Sequence, residues 1–150
     1  DLVRMQLITG RKILGEVIRR HPTRDVAIIQ VEPSGHLPIP IRTTPLKITE
    51  EVYAIGAPLD KTLSGTVSKG IVSKYASNRH GLEDIQADVD IHGGNSGGVL
   101  LDSKGNAVGV SYAGIGTTGK KSVGLNFFIP VMDALEKLNI QFKERTNTGS

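Results

Sequence analysis

Short apolar segments closed by turn-forming residues recur along almost the whole chain, and their spacing restricts the fold more than any other feature of the sequence. The 150 residues include 18 glycines and no tryptophan, a composition that favours many tight turns over broad aromatic packing. Short strands separated by such turns are typical of β-barrels and sandwiches, so we expect an all-β fold. The predicted strands are 2–8, 13–20, 26–31, 51–56, 62–69, 70–75, 84–87, 98–101, 107–113 and 123–129.

Prolines divide the predicted strands into two groups. Four of them lie within residues 33–45, and because a proline has no N–H to donate to a ladder, this segment is predicted to be a connector. We therefore expect one subdomain with its connector over residues 1–45 and a second over residues 46–130.

A single segment has a helical period. Val131, Ala134, Leu135 and Leu138 follow Pro130 at positions i, i+3, i+4 and i+7, which predicts a short helix over residues 131–139. The polar residues 140–150 are predicted to be a flexible tail.

Charge and composition exclude several classes of function. The net charge of +3 is spread over the chain, so a solvated surface is the simpler interpretation and no nucleic-acid partner is expected. The absence of cysteine excludes disulfides and thiolate metal sites. No apolar run approaches the roughly 20 residues that span a bilayer, so we expect no membrane insertion.

Residues 114–121 imitate two nucleotide-binding patterns. Gly114, Gly116 and Gly119 satisfy GxGxxG, and the whole segment nearly satisfies the P-loop pattern. Both sites need a helix that begins there and directs its N-terminus at phosphate, whereas residues 122–129 are apolar and strand-like. Lys121 also occupies the position where Mg²⁺ requires Ser or Thr. The spacing of the acidic and histidine residues matches no metal site, so we predict no cofactor and no metal.

Ser96 lies in the sequence Gly94-Asn95-Ser96-Gly97-Gly98. A nucleophilic hydroxyl needs a tight turn that lifts it clear of its own backbone, together with amide donors for the tetrahedral intermediate, and this glycine-rich sequence can provide both. Taken alone, the same composition is also typical of a flexible loop.

Several further blocks accompany this serine in a characteristic order. The chain resembles the HtrA/Deg family of trypsin-like serine proteases over roughly residues 3–138. The blocks that carry the resemblance are 54–58, 66–73, 86–91, 94–101, 105–110 and 123–130.

The resemblance implies a chymotrypsin-like double β-barrel, the first barrel incomplete here, and a serine endopeptidase acting on unfolded or damaged proteins. It implies that Ser96 is the nucleophile and that Gly94, Asn95 and Ser96 form the oxyanion hole. Asp25, which opens the strand at 26–31, would be the carboxylate that orients the base. An aspartate that merely caps a turn remains the alternative.

No histidine occupies the position that the resemblance assigns to the general base. His21, His36, His80 and His92 lie elsewhere, and the implied position falls before Asp1. We therefore expect the catalytic histidine to lie outside this chain and the chain alone to be inactive. The alternative is a pseudoprotease that keeps a peptide-binding groove without a working base.

The resemblance also places the substrate. Trypsin-like enzymes bind a peptide as an added strand, here along Ser111, Tyr112 and Ala113, with Ile91 and Asn126 beside the primary pocket. The apolar lining suggests small or medium aliphatic side chains. Asp88 is expected to hydrogen-bond backbone instead of a basic substrate residue, and Tyr112 is larger than the residue expected at its position.

Partners and compartment follow from the resemblance alone. Polypeptide substrates are expected, and unpaired edges in an incomplete first barrel suggest a homo-oligomer or a strand-exchanged dimer. The family usually adds a PDZ domain after the helix. A periplasmic, lumenal or organellar location is what the resemblance implies, and the sequence itself leaves the compartment open.

Overall fold

A computed structural model of the chain describes residues 1–33, 35–56, 65–91, 96–114, 126–141 and 143. The chain forms two compact units, one made of Asp1–Glu32 with Asp133–Ser150 and the other of Pro33–Met132. The strands are β1 (Leu2–Gln6), β2 (Lys12–His21), β3 (Val26–Val31), β4 (Glu51–Ile55), β5 (Val67–Ser77), β6 (Glu83–Ala87), β7 (Val99–Asp102), β8 (Ala107–Gly114) and β9 (Asn126–Pro130), followed by the helix α1 (Val131–Lys137).

The first unit contains an antiparallel sheet in the order β1-β2-β3. The β2–β3 ladder shifts register between Val17 and Arg19, a bulge of the kind that bends a strand and increases its twist. Gly15 sits at the middle of the sheet, and a Cβ there would meet the side chains of Met5 and Val31 at 3.2 Å. Glycine at this position lets neighbouring apolar side chains close over the strand.

The helix α1 ends in a well-formed cap. Asn139 has φ 57°, its amide donates to Glu136 O at 2.9 Å, and the amide of Ile140 donates to Leu135 O at 2.9 Å. This pair of bonds is the Schellman motif, in which a left-handed residue satisfies the last helical carbonyls. The helix therefore stops close to the predicted residue.

The second unit is a closed six-stranded barrel in the order β4-β5-β6-β9-β8-β7. Apolar residues of its strands that point inward, together with Leu46 before β4 and Val89 after β6, form one cluster of fully or nearly buried side chains. Its members are Leu46, Val52, Ala54, Val72, Ile85, Ala87, Val89, Leu100, Val108 and Phe128. The all-β prediction is confirmed.

Two predicted strands are one continuous strand in the structure. The sequence pattern was broken at Gly70, which a single sequence gives reason to treat as a turn, yet β5 runs from Val67 to Ser77 through it. A Cβ at Gly70 would lie 2.5 Å from Asp88 Oδ1 and 2.9 Å from the Val89 amide nitrogen. Gly70 is therefore a place where another backbone passes close to the strand.

The connector joins the barrel at a charge cluster in which Asp102 is buried and Arg42 and Glu50 are partly buried. Arg42 donates to both carboxylate oxygens of Glu50 and, at 3.4 Å, to Asp102 Oδ2. A single bridge pairs Ile41 with Ala107. Asp102 also accepts from the amides of Lys104 and Asn106 at 2.9 Å each, which closes the β7–β8 hairpin predicted at residues 102–106.

Candidate active site

Ser96 lies in a turn directly before β7, and its side chain is exposed. Its Oγ donates a long hydrogen bond of 3.4 Å to the carbonyl oxygen of Tyr112. Gly97, with φ 86°, donates its amide to Ser111 O at 2.6 Å, and the Ser111 amide donates to Gly98 O at 2.9 Å. The chain just after the serine is thus fastened to β8.

The chain before the serine loop is fastened to two other strands. The amide of Ile71 on β5 donates to Asp88 Oδ1 at 2.6 Å, and the amide of Asp88 donates back to Ile71 O at 3.3 Å. Asn126 on β9, which is buried, donates from Nδ2 to Val89 O. The expectation that Asp88 bonds to backbone is confirmed.

The serine loop is therefore anchored at both ends. Gly94 and Asn95 lie outside the described residues, as does His92, so the roles of Gly94 and Asn95 in the oxyanion hole stay predictions. The structure shows the support on either side: one hydrogen bond from Ser96 itself, two made by the residues just after it, and three before residue 92.

The predicted substrate residues lie along β8 and next to it. The β7–β8 ladder has its last residue pair at Val99 and Val110, while β8 continues to Gly114. The β8–β9 ladder shifts register between Ser111 and Ala113, which makes Tyr112 the extra residue of a bulge. Ile91 is half-buried and packs against the core cluster.

Tyr112 directs its hydroxyl to a buried acid. Its phenol oxygen donates to Asp84 Oδ2 at 2.6 Å, and Asp84 on β6 is only 2% exposed. The sequence indicated that Tyr112 is larger than expected at its position. Nothing in the pattern of β6 indicated that Asp84 would accept a hydrogen bond from its hydroxyl. The bond from Asn126 to Val89 was likewise missed.

Asp25 belongs to the first unit, at the turn between β2 and β3, and its side chain is exposed. It has φ 61°, a left-handed conformation that non-glycine residues adopt uncommonly and that aspartate tolerates better than most. Its amide donates to His21 O at 2.9 Å. Ser96 belongs to the second unit, and the triad remains a prediction.

The histidines within the described ranges have other surroundings. His21 ends β2, and its Nδ1 accepts the amide of Arg24 at 3.0 Å. His80 lies in an exposed turn, where its Nε2 accepts from Arg79 Nε at 3.2 Å. His36 lies in the exposed connector.

Groups of three or more acidic, histidine or cysteine side chains that could hold a metal ion do not occur among the residues with described positions. Within those same residues, no helix has the length and apolar character needed to cross a membrane.

The second unit also has a cavity of about 190 Å³ beside the connector. Tyr75 reaches its wall and donates its hydroxyl to Leu46 O at 2.8 Å. Burial raises the pKa of the Tyr75 phenol. The phenol thus serves as a neutral tie between β5 and the start of the barrel.

Comparison with known proteins extends these observations. Residues 2–110 match the trypsin-like peptidase domain family. The serine protease PepD of Mycobacterium tuberculosis is 38% identical, over 83% of this chain and 30% of PepD. The periplasmic serine endoprotease DegP of Salmonella typhimurium is 33% identical, over 87% of this chain and 28% of DegP.

A solved structure of the HtrA-type protease AlgW with a decapeptide has a TM-score of 0.81 and 29% identity, covering 93% of this chain and 43% of AlgW. The chain thus spans about a third of the length of PepD and DegP. The resemblance read from the sequence blocks and the trypsin-like double-barrel fold class are both confirmed. The chain belongs to the trypsin-like peptidase domain family, among the serine proteases of HtrA/DegP type.

Proposed function

We propose that the protein containing this chain is a serine endopeptidase that hydrolyses peptide bonds of unfolded or damaged proteins, with Ser96 as the nucleophile. The observation that carries the proposal is the setting of Ser96. Its side chain is exposed while the chain on both sides is tied to the barrel. Such fixed support is what a reacting hydroxyl requires, because catalysis depends on holding it within a fraction of an ångström.

In the proposed reaction, Ser96 Oγ attacks the carbonyl carbon of the scissile peptide and gives its proton to a histidine. The amides of Gly94 and Ser96, with Asn95 between them, receive the oxyanion of the tetrahedral intermediate. The histidine then protonates the leaving amine, and the acyl group stays on Ser96 as an ester. Water, deprotonated by the same histidine, hydrolyses that ester and restores the hydroxyl.

Asp25 would orient this histidine by accepting its Nδ1–H and would stabilise the imidazolium form. The histidine itself is proposed to lie in the protein outside these 150 residues, and the chain alone is proposed to be inactive. The surroundings of His21 support this, because its Nδ1 already accepts a backbone amide. The exposed settings of His36 and His80 support it as well.

The substrate is proposed to bind as an added strand along the end of β8. Support comes from the ladder, since β8 continues to Gly114 beyond its last residue pair with β7 at Val110. The peptide is placed beside Ser111, Tyr112 and Ala113. Because the Ser111 amide and carbonyl already bond to Gly98 and Gly97, its main-chain hydrogen bonds would come from the residues after Ser111. Ile91 and Asn126 would lie beside the side chain that enters the primary pocket. The decapeptide bound to the related AlgW is consistent with this class of ligand.

The test compares the whole protein with its Ser96→Ala variant for casein cleavage and for labelling by a fluorophosphonate. We expect wild type to cleave and label and Ser96→Ala to do neither. Ser73→Ala, which removes another exposed serine on β5, is the matched control and should behave as wild type. The 150-residue chain alone should do neither.

If the folded whole protein neither cleaves nor labels, the endopeptidase proposal is wrong. A non-enzymatic peptide-binding module would then replace it, and titration with unfolded casein would measure that binding. Self-association, as a homo-oligomer or a strand-exchanged dimer, is proposed for the same protein and is measured by sedimentation of the whole chain.

A further inference from the structure

The turn that carries Asp25 is held in an uncommon conformation. Asp25 has φ 61°, a left-handed conformation that residues other than glycine adopt uncommonly. Two backbone amides of the turn are bonded to His21: that of Asp25 to its carbonyl oxygen at 2.9 Å and that of Arg24 to its Nδ1 at 3.0 Å. Such conformations persist where the surroundings determine them strongly.

The side chain of Arg24, the residue before Asp25, also belongs to these surroundings. It is 1% exposed, and its Nε lies 2.7 Å from Asp133 Oδ2 in the first turn of α1. The approach lacks the alignment of a hydrogen bond, so it acts as an ion pair. Lys137 contacts the other oxygen of Asp133 at 3.1 Å and fixes that carboxylate along the helix.

The same hairpin contacts the other end of the helix through Arg19. Its guanidinium donates from Nη1 to Leu138 O at 3.2 Å and to Asn139 O at 2.6 Å. Cations at the C-terminal end of a helix are favoured by its dipole. Two arginines of one hairpin therefore contact the two ends of α1, and Ala134 and Leu138 of the same segment are buried.

We infer that Arg24 and Asp133 are positioning residues for Asp25, with the helix α1 fixing the backbone of the turn through this ion pair. The inference rests on the proposed function, in which Asp25 orients the base. Removing the charge of Asp133 leaves a buried guanidinium without one of its counter-charges. Arg24 then shifts, and the adjacent Asp25 loses its position relative to the imidazole.

A merely stabilising ion pair would lower the unfolding temperature without changing the chemistry at lower temperatures. A positioning pair changes kcat with KM preserved, because substrate binding does not involve it. It also moves the acid limb of the pH profile of kcat/KM to lower pH, because an imidazolium with a less well placed carboxylate releases its proton more readily.

The experiment measures kcat, KM and the pH profile of the whole protein for Asp133→Asn, in the wild-type background and in an Asp25→Asn background. We expect Asp133→Asn to lower kcat at least about tenfold in the first background and to have no further effect in the second. Glu136 is an exposed acid on the same helix. Its substitution Glu136→Gln is the matched control and should leave kcat unchanged in both backgrounds. Should Asp133→Asn not fold, Asp133→Glu keeps the charge with a displaced carboxylate and should show a smaller loss with the same dependence on Asp25.

The inference is overturned if Asp133→Asn lowers kcat by the same factor in both backgrounds, or if only its unfolding midpoint changes. If Asp25→Asn itself has full activity, the assigned role of Asp25 is wrong and the inference falls with it. If Ser96→Ala remains active, the proposed function has failed independently of Arg24 and Asp133.

Discussion

Tyr112 Oη lies 2.6 Å from Asp84 Oδ2 and donates to it, joining the bulge of β8 to a buried carboxylate on β6. This distance is typical of a hydrogen bond between a hydroxyl and a carboxylate. The neighbouring Ser111 bonds to Gly97 and Gly98. The side chain of Tyr112 therefore stabilises the stretch of backbone that supports Ser96.

Tyr112→Phe should lower the free energy of unfolding by about 1–3 kcal/mol, because a buried carboxylate loses a donor. Urea denaturation followed by circular dichroism measures the difference. The control is Tyr53→Phe, which removes a hydroxyl that bonds to the exposed Glu51 at 3.4 Å and should change stability little. Equal losses in the two variants would contradict the importance of the Tyr112 bond.

Gly70→Ala should both destabilise the barrel and slow fluorophosphonate labelling of Ser96 in the whole protein. The new Cβ would lie 2.5 Å from Asp88 Oδ1 and displace the segment that leads to the serine, at a cost of about 1–3 kcal/mol for overpacking. Gly109→Ala is the graded control, since its nearest neighbour is Ile129 O at 3.2 Å. Labelling at the wild-type rate in Gly70→Ala would show that this segment does not control the serine.

Asn126→Asp should lower the free energy of unfolding by about 1–3 kcal/mol. Asn126 donates from its amide nitrogen to Val89 O, and a carboxylate cannot donate there. Asn78→Asp is a matched control, because Asn78 needs an acceptor oxygen where Asn126 needs a donor. Asn78 accepts through Oδ1 from the amides of His80 and Leu82, and aspartate can accept both. The midpoint of thermal unfolding should therefore fall clearly for Asn126→Asp and little for Asn78→Asp. Equal midpoints for the two variants would contradict a stabilising role of the Asn126 hydrogen bond.

Glu50 should make stability depend on pH in the acid range. The hydrogen bonds from Arg42 hold the pKa of Glu50 below its ordinary value of 4.5, against the opposing effect of burial. A carboxylate with a lowered folded-state pKa contributes its full stabilisation above pH 4.5, and this is lost as the pH falls through the folded-state value.

Glu50→Gln should therefore be less stable than wild type at pH 7, by roughly 1.5 kcal/mol, and the difference should vanish at low pH. Chemical denaturation at a series of pH values measures it. Glu51→Gln removes the exposed pair with Lys69, so its effect should be small throughout. If wild type stays more stable than Glu50→Gln by the same amount in strong acid, the stability does not depend on the ionisation of Glu50.

Local patterns were enough to predict most of the strands, the short helix and the hairpin at residues 102–106, because alternation, turn residues and helical period are properties of neighbouring residues. The backbone bond of Asp88 was also predicted, through blocks that recur in a known family, and the role of the serine loop stays a prediction. The pairs Tyr112 with Asp84, Asn126 with Val89, and Arg24 with Asp133 join residues far apart in the chain. No single segment carries a signal for such partners, and the same reason explains why Gly70 was misread as a break.

The order of strands in the barrel has a consequence for how the chain acquires its structure. Closure pairs Val52 of β4 with Asp102 of β7, and Gln86 of β6 with Phe127 of β9. Pairing residues so distant in sequence costs a large loop-closure entropy before the pairs contribute stabilising contacts. Topologies of this kind therefore fold slowly. During synthesis, no ribosome-bound chain that stops short of Phe127 can complete the barrel, so its apolar interior stays open to aggregation, or to capture by chaperones, until the last strand emerges.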